Sequence, residues 1–165
     1  MKYLKLINSK YVSIIDDHLF DELNQYQWLL NVDGYVFRWE NNKRILLHRQ
    51  IIQADKNQIV DHIDNNSLNN CLNNLRICTM KENSYNKKKY KNNTSGYKGV
   101  FYHREIRGKN KYIKEYWKVI LTIEGKQKTK KFPYTEEGKI QAALYYNELA
   151  IQYFGEFANI NKIKD

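Results

Sequence analysis

The apolar positions fall into short runs separated by polar turns. Residues 3–7 and 10–15 are rich in Tyr, Leu, Val and Ile with Asn8-Ser9 between them, which predicts a hairpin or two short strands. Asp16-Asp17 sets acids at the start of a short helix expected over 17–24. Strands are expected at 27–31 and 34–39, around the turn signal Asp33-Gly34. The segment 44–53 is apolar enough for burial, but its period does not separate strand from helix.

After Gln58-Ile59-Val60 come Asp61-His62-Ile63-Asp64, an Asn-rich loop and a short strand at Leu75-Arg76-Ile77-Cys78. Thr79 then caps a helix expected from Met80 to Lys89, with Glu82 in the capping-box position. The stretch 58–89 thus reads strand, loop, strand, helix, and is too small to be stable without its neighbours or a metal. Residues 87–96 are polar and basic, and 91–96 is taken as a linker. Beyond it, strand-like runs at 97–103, 115–123 and 127–132 precede a long helix expected over 135–154 and ended by Gly155. On that helix Ala142, Ala143, Tyr146, Leu149, Ala150 and Tyr153 recur at steps that form one apolar stripe, suited to covering a sheet face. The expected fold class is α+β: a small strand-rich lobe over 1–90, the linker, and over 97–165 a three-stranded antiparallel sheet packed on one helix.

Composition narrows the function. The 165 residues are 42% hydrophobic and 14% aromatic, too rich in apolar side chains for a disordered chain. The net charge of +10 makes polyanions the first partners to consider. Residues 81–131 hold 16 of the 28 Lys and Arg but only 4 of the 18 Asp and Glu, so the charge is a localised footprint. A solvated Lys-rich face is the plainer alternative. Cys71 and Cys78 form no Cys-x-x-Cys pair, which argues against a cysteine zinc site and for two reduced thiols. The N-terminus lacks the apolar run of a signal peptide and no segment is long enough to span a bilayer, so the expected location is cytoplasmic, with no membrane partner.

Phosphodiester hydrolysis needs an activated water and a means of neutralising charge on the phosphoryl group, which a histidine base and a hard cation supply together. Asp61 and His62 are adjacent, so on a regular strand they point to opposite sides. Asn74 follows His62 by 12 residues and Asn83 by 21. Val60-Asp61-His62-Ile63-Asp64, Asn73-Asn74-Leu75-Arg76 and Lys81-Glu82-Asn83 together resemble the HNH motif of phage and intron-associated homing endonucleases. Leu47-His48-Arg49 is similar to the segment that leads into it.

The resemblance implies a ββα-metal unit in which His62 is the general base, Asp61 and Asn83 hold Mg2+ or Mn2+, and Asn74 braces the loop and orients His62. Asn83 stands where the family's final histidine would be. His48 is expected to be mainly structural and His18 a surface residue. Because Asn is abundant here, no single Asn carries weight by itself.

Residues 95–160 resemble the plant ethylene-response-factor type of DNA-binding domain, on Ser95-Gly96-Tyr97-Lys98-Gly99-Val100, Trp117 and the end Ala150-Ile151-Gln152-Tyr153-Phe154-Gly155-Glu156-Phe157-Ala158. That likeness implies a sheet in the DNA major groove with the helix behind it. Strand alternation sets Val100, Tyr102, Trp117, Val119 and Leu121 toward the helix and Phe101, His103, Lys118, Ile120 and Thr122 on the other face. Lys98, Arg104, Lys128, Lys130 and Lys131 are expected to reach phosphates. Phe101, His103 and Thr122 stand where the plant domains carry arginines, so phosphate contacts rather than base readout are expected to supply affinity. The chain is therefore expected to be a metal-dependent HNH endonuclease acting on double-stranded DNA as a monomer. The alternatives are a DNA binder with a degenerate HNH unit and an RNA-binding module.

Overall fold

The computed structural model describes residues 1–108 and 111–163. The chain divides into two compact units, Met1–Ser84 and Tyr85–Asp165. The chain is mixed α/β: among the described residues, the first unit holds several small sheets with short helices and the second one three-stranded sheet with a long helix.

The first unit opens with the antiparallel pair β1 (Lys2–Lys5) and β2 (Val12–Ile15), followed by a 3-10 turn and the single-turn helix α1 (Phe20–Leu23). A three-stranded antiparallel sheet follows, of β3 (Leu29–Leu30), β4 (Val36–Glu40) and β5 (Lys43–Leu46). Asn41 and Asn42 join β4 to β5, both at positive φ, the backbone that a two-residue hairpin turn demands and that Asn tolerates better than most residues. The segment whose period left strand and helix undecided is both: β5 ends at Leu46 and α2 (Leu47–Ile51) begins at once. An antiparallel pair, β6 (Ile59–His62) and β7 (Leu75–Cys78), leads into α3 (Met80–Tyr85).

The core of this unit gathers one or two apolar side chains from nearly every element, among them Leu4, Ile15, Leu23, Val36, Leu47 and Leu75 around Trp28. Trp28 is fully buried and donates its indole N–H to the Leu23 carbonyl at 2.8 Å, so its one polar atom is satisfied inside the apolar cluster. Burial of a side chain of that size stabilises by about 3 kcal/mol, a large share for a lobe with elements of two to six residues.

The helix expected to run to Lys89 stops at Tyr85, which is already part of the second unit: its ring stacks on Phe154 at 3.8 Å. The stretch anticipated as a linker is tied down by its short polar side chains. Asn93 Nδ2 donates to the carbonyls of Tyr97 and Val100, and Ser95 Oγ donates to Val100 at 2.7 Å.

The rest of the second unit is the antiparallel sheet β10-β9-β8, of β8 (Val100–Arg107), β9 (Tyr112–Ile123) and β10 (Lys126–Pro133), with α4 (Glu136–Phe154) against it. Thr135 caps α4 by accepting from Gly138 N at 3.0 Å. Val100, Trp117, Val119 and Leu121 meet Ala142, Ala143, Tyr146 and Ala150 in the core. Two apolar positions depart from the expectation. Tyr153 lies outside the core with Lys128 over its ring, and Phe154 takes the inward place, because the stripe steps from Ala150 by four residues rather than three. Tyr102 shares the helix-side face with its cross-strand partner Trp117 but is 38% exposed. Gly99 adopts φ +73° where a Cβ would stand 2.1 Å from the Tyr146 ring, so this close approach of backbone to aromatic requires glycine.

Candidate active site

Asp61 and His62 end β6, and both are buried. Their side chains have different surroundings, as alternation along a strand requires. The register β6–β7 sets Asp61 opposite Arg76, and the Arg76 Nε and Nη2 donate to Asp61 Oδ2 at 2.9 and 2.7 Å. His62 Nε2 lies 3.2 Å from Asn70 Oδ1. Asn70 is wholly buried, and its Nδ2 donates to Ser13 Oγ at 2.8 Å and to the Ser67 carbonyl at 3.1 Å. A carbonyl only accepts, so the amide orientation is fixed and Asn70 Oδ1 must receive a proton. In neutral His62 the proton then resides on Nε2, and Nδ1 carries the lone pair. Burial lowers the His62 pKa, outweighing the Asn70 hydrogen bond and the charges of Asp64 and Asp61, which act the other way. The ring is therefore neutral near pH 7, as a general base must be.

A second imidazole adjoins it. His48 of α2 meets His62 edge-on, with ring centroids 5.2 Å apart, and Tyr35 flanks both rings. His48 is 6% exposed and its Nδ1 has no hydrogen-bond partner among the described residues. Burial, with help from His62 and Arg49, pushes its pKa down to about 4.

Asn74 holds the loop between the strands. Its Oδ1 accepts from Asp64 N at 3.0 Å, and its Nδ2 donates to Asp64 Oδ1 and to the Asn69 carbonyl. The bracing expected of Asn74 thus acts on Asp64. Burial would raise the Asp64 pKa, but hydrogen bonds from Asn69, Asn66 and Asn74 prevail and hold it below the usual carboxylate range. The residue that grips His62 is Asn70, which sequence reasoning missed because nothing distinguishes one Asn from another in so Asn-rich a loop.

Asn83 sits on α3, where its N–H donates to the Thr79 carbonyl at 3.0 Å, and its half-buried side chain has no hydrogen bond among the described residues. Thr79 and Glu82 form the expected capping box: Thr79 N donates to Glu82 Oε2 at 2.8 Å, and Glu82 N to Thr79 Oγ1 at 3.2 Å. Among the described residues, no three His, Cys, Asp or Glu side chains gather as a metal cluster. One carboxylate from Asp61 and one carboxamide from Asn83 would be a sparse oxygen donor set, which suits a hard cation that keeps most of its waters and not a tight zinc site.

In the second unit the anticipated DNA-contacting residues part into two groups. Phe101, His103, Lys118 and Lys131 share the sheet face turned away from α4 with Ile120, and Thr122 continues that face at its exposed end. This face is not open throughout: Tyr116 is buried there, donating to Glu105, and Lys131 Nζ donates to the same carboxylate at 2.7 Å. Lys128 and Lys130 pair with Leu121 and Val119 and lie on the helix side, over the rings of Tyr153 and Tyr145. Arg104 is exposed opposite Glu115. Lys98 donates Nζ to the Tyr85 carbonyl at 2.6 Å, and burial pushes its pKa down to about 8. The even alternation of the sequence did not reveal that a lysine on a sheet can fold its stem back onto an aromatic ring.

A buried imidazole and a buried carboxylate on adjacent residues thus stand at the end of a short strand pair. The profile of the HNH endonuclease family matches residues 53–85, a span that includes Asp61, His62, Asn70, Asn74 and Asn83 and excludes His48. Over 147 residues the chain is 39% identical to an uncharacterized HNH endonuclease of Acanthamoeba polyphaga mimivirus, covering 86% of this chain and 70% of that one. Over 72 residues it is 46% identical to Protein 3.8 of Escherichia phage T7, covering 44% of this chain and 53% of that protein. No solved structure matches. The chain belongs to the HNH endonuclease family, and its function is of the nuclease type. No described helix is long and apolar enough to cross a membrane.

Proposed function

We propose that the protein is a metal-dependent endonuclease of the homing type that cuts double-stranded DNA, one strand at a time when monomeric. The observation that carries this reading is the state of His62: buried, neutral, and held through Nε2 by an Asn70 whose own amide is locked, so that Nδ1 is the basic nitrogen. In this reading Nδ1 takes the proton of the attacking water. Asp61 and Asn83 would hold Mg2+ or Mn2+, which supplies neutralisation of the charge developing on the phosphate. Arg76 holds the buried Asp61 carboxylate in position through two hydrogen bonds to its Oδ2. Asn74 fixes the 63–70 loop through Asp64, so that Asn70 is in place when substrate arrives.

The second unit would hold the duplex in the manner of the ethylene-response-factor type domain it resembles. Its outward sheet face offers Phe101, His103, Lys118 and Thr122, and the pattern lacks the arginines that read guanine there. Phosphate contacts therefore dominate, with strong salt dependence.

Supercoiled plasmid carrying the coding region and its flanks, incubated with Mg2+, tests the proposal. The wild type should yield nicked circles, while His62→Ala and Asn83→Ala should be slower by at least about 100-fold with duplex binding retained. Duplex binding by the wild type without nicking in Mg2+ or Mn2+ would leave a DNA-binding protein with a degenerate HNH unit.

A further inference from the structure

β2 carries a polar side chain where its alternation calls for an apolar one. Ser13 and Ile15 share one face of this strand, and both are wholly buried. A buried hydroxyl is costly unless it is hydrogen-bonded, and that of Ser13 is used in both directions. It donates to the Leu68 carbonyl at 3.1 Å and accepts from Asn70 Nδ2 at 2.8 Å. A carbonyl only accepts, so the hydroxyl proton is committed to Leu68 and a lone pair is left for Asn70. The chain of bonds continues into the site, because Asn70 Oδ1 lies 3.2 Å from His62 Nε2.

The residues that follow Ser13 hold the same loop. Ile14 N donates to the Leu68 carbonyl at 2.7 Å, Asn70 N donates to the Ile14 carbonyl at 2.8 Å, and Ile14 forms a parallel bridge with Asn69. Asp16 stands at the N-cap of the next 3-10 turn, yet its side chain makes no capping hydrogen bond there. Its Oδ2 accepts from Leu72 N at 2.7 Å instead. Residues 13–16 therefore dock residues 68–72 through main chain and through a side chain at each end. The bonds from Asn70 Nδ2 to the Ser67 carbonyl and from Asn74 Nδ2 to the Asn69 carbonyl do a different job. They fix the shape of the loop and move with it, whereas β2, with one added tie from Ser67 Oγ to the Gly34 carbonyl at 2.6 Å, fixes where the loop stands.

We infer that Ser13–Asp16 is the positioning element of the active site, and that Ser13 and Asp16 are positioning residues that act on His62 through the 68–72 loop. Its consequence for catalysis rests on the proposed function. None of these residues belongs to the strand, loop, strand and helix that carry the motif. The proposed base is held in its reactive tautomer by a strand from the far N-terminal end of the unit, and without that docking Asn70 drifts from Nε2.

The first readout needs neither metal nor cleavage. In EDTA, the imidazole nitrogen NMR spectrum of the protein reports which nitrogen of His62 carries the proton. The wild type should show the Nε2–H tautomer alone, while Ser13→Ala and Asp16→Ala should each give a mixture of the two tautomers. Asp16→Asn keeps a carbonyl oxygen for Leu72 N and should restore the single tautomer. Ser9→Ala removes the bond that Ser9 Oγ accepts from Tyr11 N in the turn of the same hairpin, and should match the wild type. With Mg2+, single-turnover nicking of plasmid should slow by about 10- to 100-fold in Ser13→Ala and Asp16→Ala, with duplex affinity in EDTA unchanged.

A His62 spectrum that stays at one tautomer in both alanine variants overturns the inference, even if the wild type nicks DNA as proposed. Conversely, tautomer mixtures in a protein that never nicks keep the positioning role and remove the catalytic reading.

Discussion

Lowering the pH from 7 to 5 should destabilise the first unit chiefly through His48. Burial holds its folded pKa at about 4 against an ordinary value of 6.5. A histidine with a depressed folded pKa takes up its proton more readily when unfolded, so the protonation linkage is nearly silent at pH 7 and stability falls as pH drops below 6.5. By linkage, the loss between pH 7 and pH 5 is about 2 kcal/mol, and it levels off near 3 kcal/mol below pH 4, where both states are protonated. For a unit of this size that is a large part of the total. Urea unfolding at the two pH values, read by pulsed hydrogen exchange on peptides from residues 1–84, separates this unit from the other. His48→Phe keeps an aromatic of similar size and removes the titrating group. Its unit should lose about 2 kcal/mol less than the wild type over the same pH step. Equal losses in wild type and His48→Phe would show that the buried imidazole does not govern the acid sensitivity, and would refute the reasoning.

Two further changes probe the fold and the site. Gly99→Ala should destabilise the second unit by more than about 2 kcal/mol, because the new methyl meets the Tyr146 ring at 2.1 Å and φ is +73°; exchange should quicken through β8, β9 and α4 and stay unchanged in residues 1–84. Arg76→Met removes the cation from a buried carboxylate and should cost about 3–5 kcal/mol. If Asp61 is a metal ligand, Mg2+ should then raise the melting temperature of this variant more than that of the wild type, and no difference would argue against metal at Asp61.

The features legible in the sequence are those with a local physical cause. Alternation in β8 and β9, the turn residues between strands, the Thr79–Glu82 capping box and the Gly155 helix end each involve residues a few positions apart, and the structure shows each. Residues 44–53 could not be read as one element because they are two, joined at Leu46–Leu47 with no polar residue to mark the change. The Asp61–Arg76 pair spans 15 residues and is fixed by strand register, which an Asn-rich loop of uncertain path hides. Ser13, which holds Asn70 in orientation, is 57 residues away from it and lies on β2. Long-range polar contacts of this kind carry no periodicity, so the sequence could suggest His62 but not what holds it.

The adjacency of Asp61 and His62 presents an electrostatic problem that the strand resolves. A carboxylate beside an imidazole raises its proton affinity, and a protonated His62 could not accept the proton of water. Alternation sends the Asp61 side chain toward Arg76, whose guanidinium offsets the negative charge, and leaves His62 among His48, Tyr35 and Asn70. None of these three is negative; the charges of Asp64 and Asp61 still favour a proton on His62, and burial outweighs them. The unpartnered Nδ1 of His48 is a cost of about 1–3 kcal/mol on the ordinary scale for buried polar atoms. That cost accompanies a neutral, close-packed wall beside the base. Replacing His48 by a carboxylate would remove the orphaned atom but would favour a proton on His62, and so take away the environment that keeps it able to act near neutral pH.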